Sequence, residues 1–198
     1  GVDRLDLLML HRDHPAAGLA RVAEDLDALR RSGRTRFVGV SNWRLERIQA
    51  LDVALGRRVV DASSPQFSLV EWKKPLWAGS WSISGRRHRW ERRQYARARL
   101  ATFAYCPLGR GVLGRSPSAP RAFRLRINEE RRRRCLALAA ERGVTTAQIA
   151  IAYLLGQPFP VFPVVGVRRR EHMAQNLAAT RLRLGPEEAR WLEMGDVG

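Results

Sequence analysis

The sequence predicts an α/β fold with a parallel sheet, because short apolar runs alternate with longer amphipathic stretches and polar residues follow each run. Five runs have the length and composition of buried strands: Leu5–Leu10, Phe37–Val40, Val59–Ala62, Leu100–Tyr105 and Val161–Val165. Repeated strand–helix units place successive strands parallel in one sheet. With 198 residues and 45% hydrophobic content, we expect one core and a single domain over residues 1–198.

The helices are predicted from apolar residues at helical spacing and from signals at their ends. Ala16–Arg31 is followed by Ser32-Gly33 and Leu45–Leu55 by Gly56, and glycine is a common helix stop. Thr145 or Thr146 is a natural N-cap for one later helix. Further helices are expected at 87–99, 129–142, 146–155, 170–179 and 186–194. Residues 72–98, rich in Trp, Ser and Gly and then basic, are expected to form a long loop that leads into a helix.

The net charge of +17 raises nucleic acid as a partner. However, only Lys73 and Lys74 are lysines among the 36 basic residues, and the arginines are scattered through every segment. This distribution indicates a general preference for arginine, so nucleic acid is not the expected partner. Contact with RNA or DNA through Arg131–Arg134 or Arg168–Arg170 remains the alternative.

Neither a membrane segment nor a metal site is expected. No apolar run approaches the roughly 20 residues that cross a bilayer, and no signal peptide is visible at the start. Cys106 and Cys135 lie far apart and form neither a disulfide framework nor a metal-binding spacing. A reducing cytoplasm therefore fits best.

Polar residues collect at one place in each unit, directly after the strands. His11, Ser41-Asn42, Gln66, Tyr105 and Gly166–Arg168 all occupy this position. In a parallel barrel it is the carboxyl-terminal face, where active sites lie. Each residue alone has a structural alternative, since Asn42 can cap the next helix and His11 can bond a nearby backbone group. Five such positions in order favour a site.

Six segments, taken in order, resemble motifs of the aldo-keto reductase family. They are Asp6–Pro15, Gly33–Asn42 with its Gly-Val-Ser-Asn ending, Pro65–Leu69, Tyr105–Arg115, Thr146–Ala150 and Glu171–Leu177. The resemblance spans essentially the whole chain. It implies a partial (β/α)8 TIM barrel, strands four to eight with their helices, without the amino-terminal units. Five strands are too few to close a barrel of about eight, so open edges, an apolar patch and self-association are expected.

The resemblance implies roles for the residues nearest the chemistry. His11 is the expected catalytic residue, which orients the substrate carbonyl beside the proton donor. Ser41, Asn42 and Gln66 are expected to hold the nicotinamide carboxamide, and Tyr105 to stack on the nicotinamide ring.

The same resemblance implies NADPH as the cofactor and small carbonyl compounds as substrates. The pyrophosphate is expected at Pro107, Leu108, Gly109 and Arg115, the 2′-phosphate at Gly166, Arg168 and Arg169, and the adenine at Gln175 and Asn176. For Arg168 and Arg169 the alternative is two solvated side chains. The Trp-rich loop with Trp72, Trp77 and Trp81 is the expected wall of the substrate pocket.

The family also carries an Asp, a proton-donating Tyr and a Lys on units before the His11 strand, and no residue of this sequence matches them. The chain is therefore expected to be an amino-terminally truncated, NADPH-dependent reductase of aldehydes and ketones. Its activity alone is in doubt, because a positioned acid is lacking. The alternative is a non-catalytic truncated relic that binds nucleotide or a protein partner.

Overall fold

The computed structural model describes residues 1–114, 116 and 119–195, and a five-stranded parallel sheet forms its centre. The strands are β1 (Leu5–Leu10), β2 (Thr35–Ser41), β3 (Ala62–Ser64), β4 (Ala101–Tyr105) and β5 (Val161–Val164). They follow one another in the sheet in chain order, and all neighbours pair in parallel. The α/β prediction with a parallel sheet is confirmed.

In the described part of the chain, seven α-helices connect and flank the strands. They are α1 (Leu19–Arg31), α2 (Leu45–Leu55), α3 (Arg89–Ala98), α4 (Arg126–Glu141), α5 (Thr146–Leu155), α6 (Arg170–Ala178) and α7 (Pro186–Met194). Thr145 is the N-cap of α5, and its hydroxyl accepts from the Gln148 N–H while the Gln148 side chain accepts from the Thr145 N–H. This reciprocal pair satisfies two donors that a helix start otherwise leaves open. The predicted cap is confirmed.

The third strand begins later than its apolar residues predict. Val59 and Val60 are buried, but their backbone groups bond to side chains instead of the sheet. The Val59 N–H donates to the Asp52 carboxylate at 2.7 Å, and the Val60 carbonyl accepts from Arg58 at 3.0 Å. The strand instead continues through Ser63 and Ser64. Their hydroxyls bond to Tyr95 and to the Phe103 carbonyl, so polar residues are stable inside the sheet.

The two faces of the sheet differ in what covers them. Val38 and Val40 of β2 are fully buried in one core with residues of the flanking helices, among them Ala23 and Leu51. On the opposite face Phe37 is 46% exposed and Phe162 is 50% exposed. In the described part of the chain, β1 and β5 pair with no further strand, so the sheet is open. The predicted open edges and apolar face are confirmed, and self-association stays a prediction.

Several arginines of the basic runs are structural. Arg131 is 1% exposed, pairs with Glu71 at 2.8 Å, and donates to the Glu193 carbonyl at 3.0 Å. Arg92 donates to the Glu193 carboxylate at 2.6 Å and to the carbonyls of Ile83 and Gly85. A buried charge is stable only when it is paired and hydrogen-bonded, as these are. Arg131 therefore ties α4 to α7 and is not available to a nucleic acid.

Membrane spans, metal-binding clusters and disulfides were considered for the residues that the structure describes. No helix there has the length and apolar composition that crossing a membrane requires. No three or more His, Cys, Asp or Glu side chains there are grouped so that they could hold a metal ion. Cys106 and Cys135 are both free thiols.

Candidate functional site

A cavity of about 420 Å³ lies at the carboxyl ends of β1, β2, β3 and β4. It is lined by His11, Arg12, Ser41, Asn42, Ser64, Trp77 and Tyr105. Four of these residues were expected from the sequence to share a site, because they follow successive strands. Arg12, Ser64 and Trp77 complete the lining. Of the three, only Trp77 carried a sequence signal, as part of the Trp-rich loop. Trp72 and Trp81 of the same loop do not line this cavity, in contrast to the expectation from the sequence.

Hydrogen bonds connect the side chains of this cavity in series. The Tyr105 hydroxyl donates to Asn42 Oδ1 at 2.6 Å, and Asn42 Nδ2 donates to Ser41 Oγ at 2.9 Å. Ser41 Oγ in turn donates to the Ser64 carbonyl at 3.1 Å. Asn42 has a φ of 65°, in the left-handed region that asparagine tolerates better than most residues. The residue at the N-cap of α2 is Arg44, so Asn42 does not act as the helix cap.

Asn42 also fixes the loop that carries the tryptophans. Its Oδ1 accepts from the Trp81 backbone N–H at 3.2 Å, in addition to the Tyr105 hydroxyl. The ring of Trp77 lies 6.3 Å from that of Tyr105, at an angle of 54°. Burial raises the pKa of Tyr105 to about 12, so the hydroxyl is neutral and remains a donor at physiological pH.

Gln66, although expected at this site, does not line the cavity. The residue is fully buried, and both ends of its amide are hydrogen-bonded. Nε2 donates to Ser68 Oγ at 2.8 Å, while Oε1 accepts from Ser82 Oγ at 2.5 Å and Ser84 Oγ at 3.1 Å. The amide thus joins the end of β3 to the returning loop. Its expected contact with a nicotinamide stays a prediction.

His11 lines the cavity, and its imidazole ring forms no hydrogen bond with a described residue. The residue is exposed, and its backbone carbonyl accepts from Asn42 Nδ2 at 3.4 Å. Neither ring nitrogen bonds to any residue in the ranges that the structure describes. Bonding of the ring to a nearby backbone group, the structural alternative for this histidine, is therefore not observed. The imidazole is free to contact a substrate.

The loop after β4 contains Gly109, which packs closely against the rest of the protein. Gly109 has a φ of 55°, and a Cβ there would overlap the side chain of Val70. Pro107 and Gly109 are buried, and Leu108 is partly buried. The missing side chain at Gly109 therefore makes room for Val70, so packing within the protein requires this glycine. Arg115, also expected at the pyrophosphate, lies outside the described residues.

The segment after β5 is open to solvent. Gly166, Arg168 and Arg169 are exposed, and neither arginine forms an ion pair with a described residue. Asn176 on α6 is 7% exposed, and its Nδ2 has no hydrogen-bond partner in that part of the chain. The neighbouring Gln175 is partly exposed. This segment therefore offers two free cations and one unsatisfied amide donor to a ligand.

Comparison with known proteins identifies the family to which the sequence motifs and the sheet correspond. The sequence model of the Aldo/keto reductase family matches residues 1–194. The chain belongs to this family. Its parallel sheet at the centre of flanking helices is part of the family's TIM-barrel fold, as predicted.

Relatives of established name are similar over nearly the whole chain. The 6-dehydroglucose reductase of Agrobacterium fabrum is 29% identical over 195 residues, which cover 98% of this chain and 57% of that protein. The enzyme of the same name from Novosphingobium aromaticivorans is 28% identical, over 92% of this chain and 53% of that protein. The chain thus spans little more than half the length of these relatives.

Solved structures show the same fold at lower identity. A thermostable aldo-keto reductase in complex with epalrestat matches with a TM-score of 0.72 at 23% identity, over 98% of this chain and 61% of that one. An aldo/keto reductase from Klebsiella pneumoniae in complex with NADP and acetate matches with a TM-score of 0.67 at 24% identity, over 96% of this chain and 58% of that one. The five strands are therefore a partial barrel.

Proposed function

We propose that the complete protein reduces aldehyde or ketone carbonyls with NADPH. In this proposal the chain supplies His11 and most of the residues that hold the cofactor. The observation that carries the proposal is the cavity in which His11, Asn42 and Tyr105 meet. The NADP complex of the Klebsiella relative supports the cofactor. We further propose that the protein acts in a reducing cytoplasm, where both cysteines remain thiols.

The residues of this chain fit the proposed cofactor at both ends. The bound NADPH supplies a hydride, and the chain supplies hydrogen-bonding groups that orient the nicotinamide. Ser41 and Asn42 line the cavity beside the Tyr105 ring, where an amide and an aromatic face are appropriate partners. At the other end, the unsatisfied Nδ2 of Asn176 is a buried donor for an adenine nitrogen.

The preference for NADPH over NADH rests on charge. Arg168 and Arg169 are exposed, unpaired with any described carboxylate, and precede the amino terminus of α6. A helix start and a guanidinium both favour an anion, and arginine forms charge-assisted bonds with phosphate. These residues would therefore stabilise a 2′-phosphate that NADH lacks.

The proton donor is proposed to come from outside these 198 residues. Tyr95 and Tyr153 are buried away from the cavity, where their hydroxyls bond to Ser63 and Glu193 and burial raises the pKa of each. Tyr105 lines the cavity, but it donates to Asn42 and has a raised pKa, which makes it a poor acid. His11 can orient the carbonyl oxygen, but a further acid must protonate the developing alkoxide.

The proposal is tested on the full-length protein and on the 198-residue chain by NADPH oxidation with a panel of aldehydes. We expect turnover by the full-length protein and none by the chain alone. His11→Ala in the full-length protein should lower kcat/KM by about 10²–10⁴. The matched control is His14→Ala, since His14 is exposed and does not line the cavity.

Three outcomes would contradict the proposal. Turnover by the isolated chain would refute the external proton donor. A His11→Ala variant as active as the His14→Ala control would show that His11 is not the catalytic residue. A full-length protein that binds NADPH but reduces no aldehyde or ketone would favour the non-catalytic nucleotide binder.

A further inference from the structure

A second cavity of about 420 Å³ lies in the connection between β3 and α3. Segments 71–75 and 80–88 form most of its wall, and Leu125 closes it from the start of α4. It shares no lining residue with the cavity that contains His11. Its volume falls within the range of small-molecule sites, roughly 300–1,000 Å³.

The charged groups around this second cavity leave it positive. Lys73, Lys74 and Arg87 line it, are exposed, and form no ion pair within the described ranges. Glu71, the acidic residue of the lining, pairs with Arg131 at 2.8 Å. His88 also lines the cavity, and its Nδ1 bonds to Glu91, a second carboxylate that lies outside the lining. The lining therefore carries three cations without an ion pair to a described residue and one paired carboxylate.

The lysines are informative because of what the rest of the chain contains. Lys73 and Lys74 are the only lysines in the sequence, which otherwise uses arginine for its positive charge. Both line the same cavity. Each ammonium group carries three rotatable donors on a flexible stem, so both side chains can adjust to an anion in the cavity. The two exceptions to the composition thus coincide with one pocket.

Two aromatic walls give the cavity a flat apolar part. The Trp72 ring lies 6.4 Å from that of Phe123. Trp81 is held on three sides, since its Nε1 donates to Glu91 at 3.0 Å, His88 contacts it edge-on, and the Arg44 guanidinium lies 4.3 Å above its ring. Side chains that are held before binding lose little entropy when a ligand arrives.

Hydrogen bonds connect part of the lining of the second cavity to residues near the His11 cavity. Ser82 and Ser84 line it, and both hydroxyls donate to the buried Gln66 amide. Trp81 also lines it, and its backbone N–H donates to Asn42 Oδ1 of the His11 cavity at 3.2 Å. The second cavity is therefore a built part of the fold that adjoins, but does not enter, the His11 site.

We propose that this second cavity binds a small organic anion with a flat apolar body, of the class of aromatic carboxylates. The carboxylate contacts Lys73 and Lys74, and the ring lies between Trp72 and Trp81. Neutral aromatic compounds lack the charge-assisted bonds, and inorganic phosphate lacks the apolar body. The site is independent of the proposed reductase activity.

The test is calorimetric titration of the 198-residue chain with 2-naphthoate. Saturable binding of one equivalent is expected, and the neutral 2-naphthalenemethanol and inorganic phosphate should each bind at least about tenfold more weakly. Lys73→Ala/Lys74→Ala should weaken 2-naphthoate binding about tenfold or more, since a hydrogen bond to a charged group contributes about 1.5–3 kcal/mol. Both lysines are exposed, so the variant should keep its circular dichroism spectrum.

Two controls make the result decisive. Arg93→Ala/Arg97→Ala removes the same charge from exposed positions on α3 that do not line the cavity, and should leave the affinity unchanged. Saturating NADPH, or Arg168→Ala, should also leave it unchanged, which separates this test from that of the proposed function. An equal loss in the arginine variant, displacement of the naphthoate by NADPH, or no binding at all would overturn the proposal.

Discussion

The two ends of the proposed cofactor site differ in how their polar groups are satisfied. After β2 and β4, Tyr105, Asn42 and Ser41 are bonded to one another and to the backbone before any ligand is present. After β5, Arg168 and Arg169 have no described ionic partner and Asn176 has an unsatisfied buried donor. One end is a closed network, and the other is a set of free groups.

This difference suggests that the residues after β2 and β4 orient the nicotinamide, whereas the residues after β5 provide the affinity for the cofactor. A network that is bonded internally holds its side chains in place, so a nicotinamide would meet a preformed surface and gain little new bonding. Free arginines gain their full charge-assisted bonds only when an anion arrives. We therefore expect substitutions in the network to affect stability first, and substitutions after β5 to affect binding first.

The largest expected effect is on stability, from Asn42→Leu. This change leaves the Tyr105 hydroxyl and the Trp81 N–H without their acceptor and places a branched residue at positive φ. Each unsatisfied group costs about 1–3 kcal/mol, so the free energy of unfolding should fall by about 3–5 kcal/mol. Denaturant unfolding followed by circular dichroism measures it.

The matched control on the other end is Asn176→Leu. Asn176 is about as buried as Asn42, at 7% against 5% exposed, but its Nδ2 has no bond to lose. The free energy of unfolding should change by less than about 1 kcal/mol. Equal losses in the two variants would mean that the ends do not differ as described.

The sequence predicts the fold well where composition and burial agree. β1 has the predicted bounds, and Thr145 caps α5, because an apolar run and a local hydroxyl each act within a few residues. The third strand was predicted too early, because Ser63 and Ser64 look like loop residues. Their stability inside the sheet depends on Tyr95 and Phe103, which lie more than 30 residues away and leave no local signal.

The sequence predicted that three polar residues after successive strands lie together, but it did not predict how the side chains around them are bonded. The position after each strand identified His11, Asn42 and Tyr105, since parallel strands bring their carboxyl ends to one edge. The state of Gln66 was not predictable, because its serine partners Ser82 and Ser84 return from a loop 16 and 18 residues later. Nor did the run Arg131–Arg134 reveal that Arg131 is buried, because its partners Glu71 and Glu193 are distant in sequence.

The most direct test of the division between orientation and affinity is a fluorescence titration of the 198-residue chain with NADPH and with NADH. The chain should prefer NADPH. Arg168→Ala should weaken NADPH binding about 10- to 150-fold, equivalent to about 1.5–3 kcal/mol, without changing NADH affinity. It should also leave the free energy of unfolding unchanged, because Arg168 is exposed and unpaired with any described residue.

Arg93→Ala serves as the control for loss of one positive charge, since Arg93 is exposed on α3 and is not among the residues expected to contact the cofactor. It should bind NADPH as the unaltered chain does. Tighter binding of NADPH than NADH that disappears only in Arg168→Ala is the result we predict. Equal affinity for the two nucleotides in all three proteins would contradict it.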